Sequence, residues 1–263
     1  MALLMSHVAK SICLTALLAA SALATAESIL VLTEETPFTK TDINDKSGGE
    51  ATDFVRAVLE HAQIDYQLQY LPWRRTYSRA LNEPEILIYP LARSPDREND
   101  FHWIGRLIPV NYYLFKQKTR TDISVTDLDK AKPYRIGVVN YFVQHEYLTA
   151  KGFTNLQPVN SNLQNVRKLL LGRIDLFPIS EGGLISICER HNIDCNQFQP
   201  VIKLQGISDY LYLAFGPDSD PELVRRARAS FQALKDSGLH STIFARRLEL
   251  TDRFNLQHIP SAD

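Results

Sequence analysis

The sequence has few of the features that mark a specialised scaffold. Three of its 263 residues are cysteine, too few for a disulfide-dense framework. Beyond residue 26, no apolar run approaches the roughly 20 residues that span a bilayer. The 29 Lys and Arg nearly balance the 30 Asp and Glu, so no net positive charge attracts nucleic acid, and we expect no nucleic-acid partner. The remainder is 44% hydrophobic and 22% charged, as in an ordinary globular protein of one or two domains.

The N-terminal segment predicts export. Lys10 precedes an apolar run from Ile12 to Leu23, and the small residues at 24–26 form the pattern at which signal peptidase cuts. A membrane anchor is the alternative, but the apolar run is shorter than the ~20 residues of a spanning helix. We expect a cleaved signal peptide over residues 1–26, with cleavage near Ala26. Loss of Lys10 then leaves 28 basic and 30 acidic residues.

Two cysteines remain after the signal peptide. Cys13 lies within the signal, whereas Cys188 and Cys195 lie close together in the run ICERHNIDC. An oxidising compartment would allow them to form a disulfide, with two free buried thiols as the alternative. His191 lies between them and suggests a metal ligand. Three candidate ligands without a second cysteine pair make a weak zinc pattern, so we expect no metal and no cofactor.

Strand and helix patterns alternate along the chain, which predicts an α/β fold. The predicted strands are 28–33, 66–71, 85–91, 112–116, 134–139, 156–159, 174–179 and 210–215. The predicted helices are 50–62, 74–81, 143–151, one from 160 or 161 to Gly172, 221–237 and 241–249, followed by a polar tail with little to order it.

The order of these elements predicts two lobes. Two short β-rich crossings, near 111–117 and 208–216, separate an outer lobe from an inserted inner lobe. We expect the outer lobe over 27–113 and 214–263 and the inner lobe over 114–213. A cleft between two such lobes is where ligands usually bind.

Short motifs in this order resemble the family 3 extracellular solute-binding proteins, the amino-acid-binding type of type II periplasmic binding protein. They are Thr33–Phe38 after the first strand, Pro72-Trp73 before a helix, Leu91–Arg97 followed by Phe101–Gly105, Gly172–Asp175, and Asp220–Leu223 opening a helix. The resemblance implies a two-lobe fold, in which each lobe is a mixed, mostly parallel sheet flanked by helices and two hinge strands join the lobes. It implies a monomeric periplasmic protein that captures a small carboxylate-bearing solute, an amino acid or related organic acid, for a membrane transporter.

The turn after the third strand holds the main predicted ligand contact. In the resembled family, the arginine that closes this turn binds the ligand's α-carboxylate, and Arg97 occupies that position. Ser94 keeps one of the two hydroxyl positions of the family's turn, whereas Ala92 replaces the other and offers only backbone groups. Arg93 is an additional cation, either a further ligand contact or an outward-facing surface charge.

The inner lobe departs further from the family pattern. Ser180 stands where amino-acid binders carry the carboxylate that receives the ligand's ammonium group. Glu181, the next residue, is either a shifted replacement or an ordinary exposed acid. Residues Asn140, Tyr141 and Phe142 lie where a strand meets a helix N-terminus, so we expect an anion-binding turn there, with an aromatic lining.

Other candidates for the cleft wall are aromatic or acidic. Trp73 at a strand-to-helix junction is either a stacking wall or a core residue, and Phe38 and Tyr112 are similar cases. The resemblance places Glu35 at the cleft, whereas Glu34 would equally suit a solvated loop.

Two alternative functions remain. The chain could be a ligand sensor read by a membrane receptor, or a cyclohexadienyl-dehydratase-like enzyme, for which Glu181, Glu35 or His102 could supply an acid or base. No Ser-His-Asp order, nucleophile elbow or HExxH motif occurs, so we expect no enzyme activity.

Overall fold

The computed structural model describes residues 28–36, 38–39, 48–248, 254 and 259–260. The predicted signal peptide, 1–26, lies outside the described residues. No helix in these ranges is long and apolar enough to cross a membrane.

Ten strands and seven helices make up the described part of the chain. The strands are β1 (Ile29–Thr33), β2 (Tyr66–Tyr70), β3 (Ile86–Ala92), β4 (His102–Pro109), β5 (Tyr112–Gln117), β6 (Ile136–Val139), β7 (Leu156–Val159), β8 (Phe177–Ser180), β9 (Phe198–Leu204) and β10 (Tyr210–Phe215). The helices are α1 (Glu50–His61), α2 (Trp73–Asn82), α3 (Val143–Ala150), α4 (Asn162–Leu170), α5 (Glu181–Arg190), α6 (Pro221–Asp236) and α7 (Leu239–Leu248).

The first sheet has five strands in the order β2-β1-β3-β10-β4, and we call it, with α1, α2, α6 and α7, the outer lobe. Strands β1, β2 and β3 run parallel, and β10 is antiparallel to both its neighbours. Strand β3 is buried along its whole length. Leu87 and Tyr89 pack in the core that contains Phe54, and Ile86 and Ile88 pack in the core that contains Trp73, so helices cover both faces of this strand.

The second group of strands, with α3, α4 and α5, forms what we call the inner lobe. Strands β6 and β7 pair in parallel, and β8-β5-β9 form a three-stranded antiparallel sheet. The mostly parallel pairing expected in both lobes does not extend to this sheet. The reason is topological: β5 carries the chain into the inner lobe and β9 carries it out, so the two run in opposite directions.

The predicted strands and helices are present, but three further elements are not evident in the sequence pattern: β4, α5 and β9. Helix α5 begins with Glu181, Gly182 and Gly183, and glycine is a poor helix former, which hides the helix signal. It forms because the Ser180 hydroxyl caps it, accepting a hydrogen bond of 3.2 Å from the Gly183 amide.

A disulfide and two contacts from the C-terminal tail add to the packing of the inner lobe. Cys188 and Cys195 form the predicted disulfide, which joins α5 to the turn after it. The tail is more ordered than expected at two points. The ring of Phe254 lies 5.3 Å from that of Phe115, and the Lys203 amide donates a 2.8 Å hydrogen bond to the carbonyl of Pro260.

Candidate functional site

A cavity of about 250 Å³ lies between the two lobes. Eight of the predicted ligand-binding residues line it: Glu35, Phe38, Trp73, Ala92, Arg97, Tyr112, Phe142 and Ser180. The other predicted contacts lie outside its wall: Arg93, Ser94, Asn140, Tyr141 and Glu181. The structure therefore brings together most of the candidates from both lobes.

Arg97 is the most deeply buried cation at this wall, with 1% of its surface exposed. It closes the 3₁₀ turn Pro95–Arg97 that follows β3, and its guanidinium stacks 4.7 Å from the centre of the Tyr77 ring. Its Nη2 donates to Glu146 Oε1 at 2.8 Å and to the Tyr141 carbonyl at 3.1 Å, both in the inner lobe. Its Nη1 donates to the Ala92 carbonyl at 3.4 Å. A charge of the outer lobe is thus compensated across the cavity by the inner lobe.

The turn at 140–142 presents a carbonyl, rather than a pair of amides, to the outer lobe. The amides of Asn140 and Phe142 donate to the carbonyls of Val159 and Val139 within the inner lobe. Tyr141 has a φ of 63°, which is uncommon for a residue other than glycine. Its carbonyl accepts a 2.9 Å hydrogen bond from Trp73 Nε1, besides the one from Arg97.

Trp73 serves both predicted roles. It lines the cavity, and with 8% of its surface exposed it also packs in an outer-lobe core. Its ring lies 5.9 Å from that of Phe142, at nearly a right angle. The two aromatic residues form a shared wall between the lobes.

Three helices of the inner lobe direct their first turns at the cavity. The wall includes Phe142 to Gln144 at the start of α3, Ser161 to Leu163 at the start of α4, and Ser180 and Gly183 at the start of α5. Helix N-termini carry partial positive charge and unpaired amides, which favour an anion. Gln144 adds a buried amide whose Oε1 has no hydrogen-bond partner among the described residues.

Three of the predicted hydrogen-bonding or charged contacts lie outside the cavity wall: Glu181, Arg93 and Ser94. Glu181 is buried at the first position of α5, and its charge helps to raise the pKa of Tyr113, after the larger effect of burial. Arg93 pairs with Glu98 on the outer surface and lies 5.1 Å from the centre of the Trp103 ring. The Ser94 hydroxyl is buried without a hydrogen-bond partner among the described residues.

The segment after β1 is more involved than the sequence indicates. Glu34, Glu35 and Thr36 all line the cavity. Glu34 is partly buried, and this burial raises the pKa of its carboxyl to about 7. Across the cavity, Arg190 at the end of α5 donates to the Thr36 carbonyl at 3.4 Å. Glu34, which in the sequence would equally suit a solvated loop, therefore lines the cavity.

Sequence reasoning missed several residues of the site. Glu146, Gln144, Ser161, Asn162 and Arg190 all come from the inner lobe. The predicted helix start at residue 143 was the available signal, because the side chains of a helix's first turn lie beside its N-terminal pole. In the described residues, no group of three or more His, Cys, Asp or Glu side chains could hold a metal ion.

No family model matches this chain, and no curated protein matches its sequence. Solved structures do match. A histidine kinase sensor domain with similarity to periplasmic binding proteins superposes with a TM-score of 0.74 at 18% identity, covering 84% of this chain and 95% of that one. The arginine-, lysine-, histidine-binding protein ArtJ from Geobacillus stearothermophilus gives a TM-score of 0.71 at 15% identity, over 87% and 98% of the two chains.

A third structure is the amino acid ABC transporter substrate-binding protein AbpA from Streptococcus pneumoniae, bound to L-arginine. It gives a TM-score of 0.69 at 14% identity, over 85% of this chain and 95% of that one. Similarity at these identities establishes the fold, so the predicted two-lobe fold of periplasmic binding proteins is confirmed. The three matched structures are binding or sensor domains rather than enzymes.

Proposed function

We propose that this protein captures a small carboxylate-bearing solute, an amino acid or a related organic acid, in the cavity between its lobes. The observation that carries the proposal is Arg97, a buried guanidinium on the wall of a small cavity that also receives three helix N-termini. A planar fork of donors and several helix N-termini suit a carboxylate. The cavity volume of about 250 Å³ suits a small solute rather than a polymer.

Capture by lobe closure is part of the proposal. The outer and inner lobes would move about the two crossings between their sheets, near 111–117 and 208–216. The contacts of Arg97 and Trp73 with Tyr141 and Glu146 support closure, because each joins one lobe to the other. The closed protein would then deliver its solute to an inner-membrane permease, with the monomer as the binding unit and the periplasm as its location.

Sensing for a membrane receptor is the second candidate. It is favoured by the similarity to a histidine kinase sensor domain. Neighbouring genes discriminate between the two: a permease and an ATPase would support uptake, and a histidine kinase would support sensing. A dehydratase-like activity is the least supported, because the matched structures are binding and sensor domains.

A ligand screen tests the proposed function. The chain from Glu27 onward would be purified and its melting temperature measured with amino acids, dicarboxylates and small aromatic acids, and each solute that raises it would be titrated by calorimetry. We expect at least one carboxylate-bearing solute to bind with a stoichiometry of one. Absence of binding in all three classes would refute the proposal. A change in ultraviolet absorbance on incubation with prephenate, which would report its turnover, would instead favour the enzyme.

A further inference from the structure

Arg97 and Glu146 form an ion pair between the lobes in which one hydrogen bond is made where two are possible. Arg97 Nη2 contacts Glu146 Oε1 at 2.8 Å. Arg97 Nε and Glu146 Oε2 are buried, and neither has a hydrogen-bond partner among the described residues. A carboxylate that faces a guanidinium squarely makes two parallel hydrogen bonds, so this pair realises only part of the available interaction.

The two partners differ sharply in exposure. The Arg97 side chain is 2% exposed, whereas that of Glu146 is 34% exposed. Arg97 is held in place by the Tyr77 ring and by the Ala92 and Tyr141 carbonyls. Glu146 lies near the start of α3 and can return to water by rotating its side chain. The arginine is therefore a fixed receptor, and the glutamate is its movable partner.

We propose that Glu146 is a built-in occupant of the Arg97 carboxylate site, which it fills while the cavity holds no solute and leaves when a solute carboxylate binds. A buried guanidinium without a counter-ion would be costly, and the carboxylate of Glu146 offsets that cost. Arg97 also lines the cavity, so its guanidinium lies beside the space that a solute would occupy, and it becomes available to a solute carboxylate once Glu146 has moved away. This assignment rests on the proposed function and adds to it a competitor within the protein.

Competition has a direct consequence for specificity. Any carboxylate ligand must displace Glu146, so its affinity is lower than Arg97 alone would give. Solutes able to make the full two-bond fork gain most from the exchange, because Glu146 makes only one of those bonds. Amides and other neutral analogues should fail to displace it.

Chemical rescue tests this assignment without knowledge of the natural ligand. The substitution Glu146→Ala removes the carboxylate and one methylene group beside Arg97, and sodium propionate, a small monocarboxylate, is the probe. At about 100 mM, we expect propionate to raise the melting temperature of Glu146→Ala by about 3–5 °C more than sodium chloride at equal ionic strength. The wild-type protein should respond equally to the two salts, because its own carboxylate fills the site.

A matched double variant and a second single variant complete the design. Arg97→Met with Glu146→Ala keeps the bulk of the arginine stem but removes its charge, so propionate should give it no advantage over chloride. Glu146→Gln keeps the shape of the side chain and guards against a failure of the alanine variant to fold. It should respond in the same sense with a smaller shift, because its amide still fills part of the space.

The outcomes separate this inference from the proposed function. Equal responses of wild type and both single variants, or a response that persists without Arg97, would overturn the inference. In a second outcome, a screened solute binds the wild type but propionate has no specific effect on the Glu146 variants. That result would support the proposed function and refute the role of Glu146 as a competitor. Propionate rescue with no ligand in the screen would support the carboxylate site and count against the proposed function.

Discussion

Two charged regions at or beside the cavity differ in how their buried charges are compensated. The first, which we call the Arg97 cluster, consists of Arg97, Trp73, Tyr141 and Glu146. It joins the lobes by three hydrogen bonds of 2.8–3.1 Å and pairs a buried cation with an anion. The second, the Glu34 segment, consists of Glu34 to Thr36. It contacts the inner lobe through a 3.4 Å hydrogen bond that Arg190 donates to the Thr36 carbonyl.

The difference lies in where burial is compensated. In the Arg97 cluster, charge is balanced by a partner from the other lobe. In the Glu34 segment, burial raises the pKa of the Glu34 carboxyl to about 7, because desolvation disfavours its charged form. Under the proposed function, a solute carboxylate would compete with Glu146 at the first region, whereas a cationic group of the solute would lower the cost of ionising Glu34 at the second.

The largest effect is expected from Arg97→Ala, which removes the centre of the Arg97 cluster. The substitution deletes the buried cation and leaves the Tyr141 carbonyl without one of its donors. We expect the solute identified by the screen to lose about 3 kcal/mol of binding free energy, or roughly a hundredfold in affinity, measured by calorimetry.

Arg93 supplies the matched control, because it stands in the same turn. Its ion pair with Glu98 lies on the surface, and its side chain is 38% exposed. Arg93→Ala should change affinity and stability by less than about 1 kcal/mol. If Arg97→Ala and Arg93→Ala lost similar binding free energy, the distinction between a buried site residue and a surface charge would be wrong.

An intermediate effect is expected from Glu34→Gln, and it depends on pH. A carboxyl whose pKa is raised by folding holds its proton more tightly in the native state. The protonated carboxyl therefore contributes its full share to the free energy of unfolding below the unfolded pKa near 4.5. That contribution is lost as pH rises through the folded pKa of about 7. Relative to Glu34→Gln, the wild type should lose about 1–3 kcal/mol of unfolding free energy between pH 4 and pH 8.

Urea unfolding of both proteins across this range measures the difference. The glutamine variant has no titrating group at this position, so its stability profile serves as the baseline. Parallel profiles for the two proteins would mean that Glu34 is not desolvated, and the contrast between the two regions would disappear.

Local pattern and the family resemblance together predict part of this site. The position of Arg97 follows from a turn after a strongly apolar strand and its role from the resemblance, whereas Ser180 is predicted from the resemblance alone. Glu146 was missed because nothing near it in sequence indicates its partner: Arg97 lies 49 positions away, in the other lobe. The surroundings of Glu34 and Arg93 likewise depend on the folded structure, since burial raises the pKa of Glu34 and an ion pair holds Arg93 beside Glu98.

The smallest effect is expected from Trp73→Phe, which tests whether the Arg97 cluster contributes through contacts between lobes. The change keeps an aromatic ring but removes the Nε1 donor to the Tyr141 carbonyl, so solute affinity should fall by about 1 kcal/mol, or roughly fivefold. Trp103→Phe is the matched control: Trp103 is equally buried, but its Nε1 donates to the Glu98 carbonyl within the outer lobe. Both variants should lose similar unfolding free energy in urea, and affinity should fall only for Trp73→Phe, because of these two bonds only that of Trp73 joins the lobes. Equal losses of affinity would instead assign the effect to general destabilisation.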